Sequence, residues 1–415
     1  MDYGPYFLKD NPFPQNGVTD VFSDDPRING DIFFEGIFLR ELTAFEERIA
    51  SQTNMVYVAG LQFDRGVGKS AILSHVWKQI KQRPNLFSAF VRCTETAPTN
   101  RPVGISAAII QQLHEQGYVW RAFWKLMLVY AEESKNLLFT KSAVETLYNA
   151  HPKPVESLPL LLYTHVPDPG RLAKDVSMWL QEKFKSSEFL ASSLAESYLT
   201  RPNRFPASLT GRTADPIKCY GDVLTVLCRG GFSYGYLFLD QFEDSVMSTS
   251  TSKMGEFGLG MRRMLEASTG KATIVVTLHP DSEQKLNSNP AVQNLQTLAP
   301  IDAKRYISLN VLDPSSTLVV PLATEYIRRY RAGVAPDETY PLDSRVVRYV
   351  CFLKRGLIRQ ILQQLHECIN FGVMQGYKKV DMDFVLQNHN MTMGVEFRED
   401  KYDEFKKLIG TSPAL

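Results

Sequence analysis

Two hydrophobic patterns alternate along the chain: short runs that are apolar at every position, and longer stretches with apolar residues three or four positions apart. The first pattern predicts parallel strands covered on both faces, and the second predicts amphipathic helices lying over them. Met55–Ala59, Phe87–Val91, Tyr236–Leu239, Ala272–Thr277 and Tyr306–Val311 are the predicted strands. Helices are predicted over 39–51, over AILSHVWKQI with Ile72, Val76 and Ile80 on one face, over about 105–133, and over Pro216–Arg229 and Gly255–Ser268. Beyond the last strand the pattern is helical over 316–332, 343–354, 357–374 and 382–389. Residues 1–30 carry Pro5, Pro12, Pro14 and Pro26, which break any helix and predict an extended arm. Residues 134–214 hold many prolines and short helical pieces such as LAKDVSMWLQEKF, and read as an insertion. The fold class that follows is α/β, a parallel sheet flanked by helices and followed by a small helical domain.

Bulk properties narrow the picture without changing it. A chain of 415 residues is longer than one compact core usually holds, so it is expected to form two or three domains, or one domain with insertions. The predicted division is an arm over 1–33, an α/β domain over 34–312 with the insertion at about 134–214, a helical domain over 313–392 and a tail over 393–415. Hydrophobic content of 44% and charged content of 22% are those of a globular protein. A net charge of +1 does not mark the whole molecule as a binder of nucleic acid or membrane. The five cysteines include no C-x-x-C pair, which argues against a zinc site and a disulfide framework and predicts reduced thiols in a cytoplasmic setting. No apolar run approaches a membrane span, and the N-terminus lacks a signal-peptide core. The aromatic stripe Tyr118, Trp120, Phe123, Trp124 and Tyr130 is read as core packing.

The candidate chemistry begins at residues 55–70, MVYVAGLQFDRGVGKS. A buried strand, a glycine-bearing loop ending in Gly66-Val67-Gly68-Lys69-Ser70, and a helix form a phosphate cradle. Backbone N–H groups turn inward around an anion there, and the helix N-terminus adds partial positive charge. Lys69 would reach the β- and γ-phosphates, and the Ser70 hydroxyl would ligate Mg²⁺. The usual G-x-x-x-x-G-K-[ST] spacing puts its first glycine at position 63, which is Phe63; Gly60 with a longer loop is the alternative. GK followed by Ser also arises by chance in surface loops. A second group lies in YLFLDQFED, where four apolar residues end in Asp240 at the carboxyl end of a strand, fitted to Mg²⁺. Gln241 can orient water but cannot accept its proton, so Glu243 is the candidate base; the plainer reading is a strand ending in a polar turn. Thr277 ends the neighbouring strand and is the candidate contact to the γ-phosphate or the attacking water. His279 is second to it, and a capping or surface role fits His279 better. Arg359 falls in the first turn of a helix, the wrong end of the dipole for a cation, so it is expected to have an anionic partner, a phosphate or a nearby carboxylate.

In this order, these pieces resemble the AAA+ ATPases, specifically the initiator-type (origin-recognition-like) branch and the neighbouring STAND ATPases. The resemblance covers roughly residues 34–390 apart from the insertion. GVGKS matches Walker A, LFLDQFED resembles a D-x-x-E form of Walker B, and GLIRQIL is similar to the lid helix that begins G-x-x-R. The resemblance implies adenine contacts from Phe34 and Ile37, sensor 1 at Thr277, and sensor 2 at Arg359 in a helical lid. It also implies an arginine completing the site of the adjacent subunit, with Arg305 in the expected place and Arg262 and Arg263 as weaker candidates. ATP and Mg²⁺ are the implied cofactors, and a homo-oligomer is the implied assembly. Initiator-type members usually carry a winged-helix DNA-binding domain after the lid, for which the roughly 25 residues after position 390 are too few. Double-stranded DNA is therefore expected only through an assembly, the insertion or a protein partner, as in winged-helix-free members that serve transposition or anti-phage defence. The other implied reading is a switch that binds ATP, hydrolyses little of it and recruits a protein effector.

Overall fold

A computed structural model describes residues 1–60, 66–134, 140–150, 166, 168–200, 205–206 and 215–410. The chain is α/β, with a five-stranded, all-parallel sheet of β1 (Met55–Gly60), β2 (Leu86–Arg92), β3 (Tyr234–Asp240), β4 (Ala272–Leu278) and β5 (Tyr306–Leu309), in the order β2-β3-β4-β1-β5. Every residue of β1, β3 and β4 is buried, as expected for central strands covered on both faces. The register pairs Arg92 with Asp240 at the ends of β2 and β3. An all-parallel sheet compatible with a P-loop-like fold presents the carboxyl ends of its strands along one edge, where such folds bind ligands. Each predicted strand is present, with β5 ending at Leu309 rather than at 311.

The chain divides into two compact units. One comprises Glu47–Tyr57 and Trp77–Tyr306, the other Met1–Glu46, Val58–Val76 and Ile307–Leu415. Helices α1 (Leu39–Ala50) and α2 (Lys69–Lys81) flank β1 in sequence. The larger unit then holds α3 (Pro102–Glu115), α4 (Tyr118–Ser134), α5 (Lys141–Ala150), α6 (Pro169–Phe184), α7 (Glu188–Leu199), α8 (Pro216–Arg229), α9 (Phe242–Ser248), α10 (Met254–Ser268), α11 (Pro280–Ser288) and α12 (Gln293–Leu298). The helix predicted over 105–133 is two helices, because Gly117 at φ +75° ends α3 and its N–H returns to the His114 carbonyl. Asp168 and Asp215, each followed by proline, cap α6 and α8 by accepting backbone N–H groups. The aromatic stripe is core, as read from the sequence: Trp120, Phe123 and Trp124 are buried, and Trp120 and Phe123 meet Tyr198 of α7 at 5.1 and 5.0 Å between centroids. Burying one such ring removes on the order of 200 Å² from water, worth up to about 5 kcal/mol. The described helices of the predicted insertion thus share this unit's core; residues 151–165, with three of its prolines, lie outside the described residues.

The smaller unit ends in α13 (Val319–Arg329), α14 (Ser344–Leu353), α15 (Ile358–Met374), α16 (Met382–Gln387), α17 (His389–Met393) and α18 (Glu399–Gly410). Against them packs the N-terminal arm, with Tyr6, Leu8 and Phe13 buried. Asn11 donates to the His366 carbonyl at 3.0 Å and to Asn370 Oδ1 at 2.8 Å, and Tyr3 donates to the same Asn370 oxygen at 2.6 Å. Further along, the Ser74 hydroxyl of α2 donates to the Asn29 carbonyl at 2.8 Å. The arm therefore has no regular helix beyond a single 3-10 turn at Gly4–Tyr6, yet it contributes core residues to its unit. Among the described residues, no helix is long and apolar enough to cross a membrane.

Candidate functional site

The first group of predicted site residues lies in the smaller unit. β1 leads towards the glycine loop, of which residues 61–65, Phe63 among them, lie outside the described residues. Gly66 and Gly68 have φ values of +112° and +101°, a region that disfavours any side chain. Space forbids one as well: a Cβ at Gly68 would sit 2.6 Å from the Phe38 ring, and one at Gly66 would sit 3.0 Å from Arg359 Cβ. The Gly66 carbonyl accepts the Arg359 N–H at 3.2 Å, and the Gly68 carbonyl accepts the Ile72 N–H at 3.0 Å to open α2. Lys69 and Ser70 are thus the first residues of α2, at the end of a helix whose dipole favours an anion.

The predicted adenine contacts precede this loop. Phe34 caps the 3-10 turn Glu35–Phe38, and its carbonyl accepts the Ile37 N–H at 3.4 Å. Both side chains are half-buried, and the ring against Gly68 is Phe38. Phe33 stacks on His75 of α2 at 4.1 Å and on Phe38 at 5.3 Å, and His75 Nε2 lies 3.2 Å from Glu35. Phe33, Phe38 and His75 were not singled out from sequence; two aromatics flanking the predicted Phe34 were the available signal. The structure brings Gly66, Gly68, Phe38 and the first turn of α15 together.

The second group lies in the larger unit. Asp240 ends β3 and is 3% exposed, and its carbonyl accepts the Cys93 N–H at 2.8 Å. Burial pushes the Cys93 thiol well above its ordinary range, so it stays a neutral thiol beside these carboxylates. Gln241 takes a left-handed conformation (φ 56°, ψ 31°), uncommon for a side chain with a Cβ, and so turns β3 directly into α9. Its amide oxygen accepts from Arg92 Nε at 3.0 Å. Glu243, in the first turn of α9, is 9% exposed. Thr277, fully buried, donates its hydroxyl to Glu243 Oε2 at 2.5 Å and accepts the Phe242 N–H at 3.2 Å. The Arg92 contact could not be found from sequence spacing, since only the β2–β3 register brings it beside Gln241.

The remaining candidates are engaged locally. Arg305 Nη1 pairs with Asp302 at 3.1 Å; its side chain is 21% exposed, and its buried Nε has no partner among the described residues. Arg262 pairs with Glu266 at 2.7 Å, and Arg263 with Asp215 at 2.6 Å. His279 caps α11, accepting the Asp281 N–H while Ser282 returns to the His279 backbone. Of the capping and surface roles read from the sequence, the structure shows the cap.

Among the described residues, no three His, Cys, Asp or Glu side chains cluster to hold a metal by themselves. A Mg²⁺ that keeps waters and phosphate oxygens needs only one or two protein carboxylates, and Asp240 at a strand end is such a group. No known protein family matches the chain, and no curated protein matches it.

Proposed function

We propose that this chain is an AAA+-type nucleotide switch that binds ATP with Mg²⁺ and whose nucleotide state controls its assembly. One observation carries the reading: Arg359 at the start of α15 lies against Gly66, in a loop whose two glycines are required by conformation and by space. A cation at a helix N-terminus beside a phosphate-type loop has a physical reason to be there if an anion sits between them. In this proposal Lys69 and Arg359 contact phosphate oxygens, and Ser70 and Asp240 hold the metal. Phe34 and Ile37 flank the base, Glu243 takes the proton of an attacking water that Gln241 and Thr277 orient, and Arg305 serves the neighbouring copy. Bound Mg²⁺ would supply charge neutralisation at the phosphates.

A specific observation favours slow turnover, and with it the signalling form of this reading in which ATP binding recruits a protein effector. Thr277 holds Glu243, and Arg92 holds Gln241, so both groups expected to handle water already have partners. The test is equilibrium binding of a fluorescent ATP analogue with Mg²⁺. The wild-type chain is expected to bind it, and Lys69→Ala to weaken binding by at least about tenfold, or about 1.4 kcal/mol. Equal affinity in the two proteins would remove the loop from nucleotide binding.

A further inference from the structure

A cavity of about 640 Å³ opens in the larger unit between the loop that precedes α3, the first turn of α3, the segment after α9 and the start of α10. That volume is in the range of small-molecule sites, which are mostly apolar with a few fixed polar groups. Pro98, Pro102, Val103 and Phe257 supply an apolar lining. Arg101 and Lys253 supply charge. Neither has an ion-pair partner among the described residues, whereas Arg262 and Arg263, on the same α10, are both paired. Glu256 also lines the cavity, so its three charged side chains sum to a single positive charge.

The walls are held independently of any occupant. Ser245 Oγ donates to the Thr99 carbonyl at 2.8 Å, and Lys285 Nζ donates to the Met247 and Thr249 carbonyls at 3.0 and 2.7 Å. A cavity held in this way is pre-organised, so little ordering cost falls on binding.

The geometry points to a binding site for a small organic acid with an apolar body and one carboxylate. The carboxylate would lie between Arg101 and Lys253, and the body against Val103 and Phe257. Glu256 selects against a doubly charged phosphate head, because a second negative charge would face it.

The probe is N-benzoylphenylalanine, with its neutral C-terminal amide as control, measured by titration calorimetry without nucleotide, so that the outcome is independent of the ATP reading. The free acid is expected to bind at millimolar concentration or below, and the amide at least about tenfold more weakly. The double variant Arg101→Ala/Lys253→Ala is expected to lose that preference while its thermal melt stays that of the wild type. Val103→Trp, which narrows the cavity without touching charge, is expected to weaken acid and amide alike. Equal binding of acid and amide, an unchanged preference in the double variant, or no binding of the acid at millimolar concentration would each overturn the assignment.

Discussion

At Thr277 one hydroxyl serves two partners, accepting a backbone N–H from Phe242 and donating to the Glu243 carboxylate. Such a group fixes the position of the carboxylate, a positioning role rather than a chemical one. If Glu243 is the base, Glu243→Gln preserves the shape and the Thr277 contact but cannot take a proton. It is expected to bind nucleotide as the wild type does and to hydrolyse it about 10²-fold or more slowly, as read from phosphate release. Hydrolysis at the wild-type rate would exclude Glu243 and leave Gln241 as the water-orienting group. The carboxylates were legible in the sequence because LFLDQFED ends an apolar run in acidic residues. Arg92 was not, because a residue at the end of a strand acquires its neighbour from register, and register is a property of two strands.

Among the elements, the N-terminal arm departs furthest from its sequence pattern. Prolines forbid helix, and the prediction of an extended segment followed; the structure adds that the segment is fastened to α13 and α15 by side chains. Arg27 Nη1 reaches Asp10 at 3.0 Å and the Asn11 carbonyl at 2.8 Å, its Nε reaches Asp25 at 2.9 Å, and its guanidinium lies 5.4 Å from the Tyr330 ring centroid. Burial pushes the Asp25 carboxyl up, but the hydrogen bonds and charge of Arg27 outweigh it and hold the group below its usual value. A depressed folded-state pKa contributes stability that is present above the unfolded value and is lost as pH falls through the folded one. The arm is therefore expected to loosen below about pH 4 while remaining fastened at neutral pH, as followed by hydrogen-exchange protection of residues 8–30. Arg27→Ala is expected to loosen the arm at neutral pH, by about 1–2 kcal/mol for partly buried contacts, and to flatten this acid dependence. An unchanged acid profile in Arg27→Ala would remove Asp25 as its source. Helix boundaries show the same division: the span Pro216–Arg229 was readable locally, while the break at Gly117 sits inside an unbroken apolar pattern.

For the whole molecule, the proposed switch predicts a change of mass. With ATP–Mg²⁺ the chain is expected to assemble, and with ADP or without nucleotide to disassemble, because a ligand shared between copies favours the assembled state. Light scattering in the three conditions, each with and without duplex DNA, reads this directly. Mass that is constant throughout would exclude the assembly form and leave the effector-recruiting one. Arg305 adds a sharper expectation. It is paired with Asp302 in the isolated chain, so to serve a neighbour it must exchange that carboxylate for a phosphate. Arg305→Ala is expected to bind nucleotide and remain unassembled; assembly like that of the wild type would exclude it as the shared arginine.

The sequence by itself determined what is local: the five strands, most helix spans, the glycine-lysine-serine loop and the acidic strand end, because each depends on residues within a turn or two of one another. Tertiary structure alone decided which distant residues meet. It placed the first turn of α15 against Gly66 and Phe38 against Gly68, and it set Arg92 on Gln241 and Thr277 on Glu243. It also laid a proline-broken arm into a core, and brought Arg101, Lys253 and Glu256 to the lining of one cavity. Periodicity records which face of an element is apolar, but the partner of that face is chosen by packing and register across the whole chain.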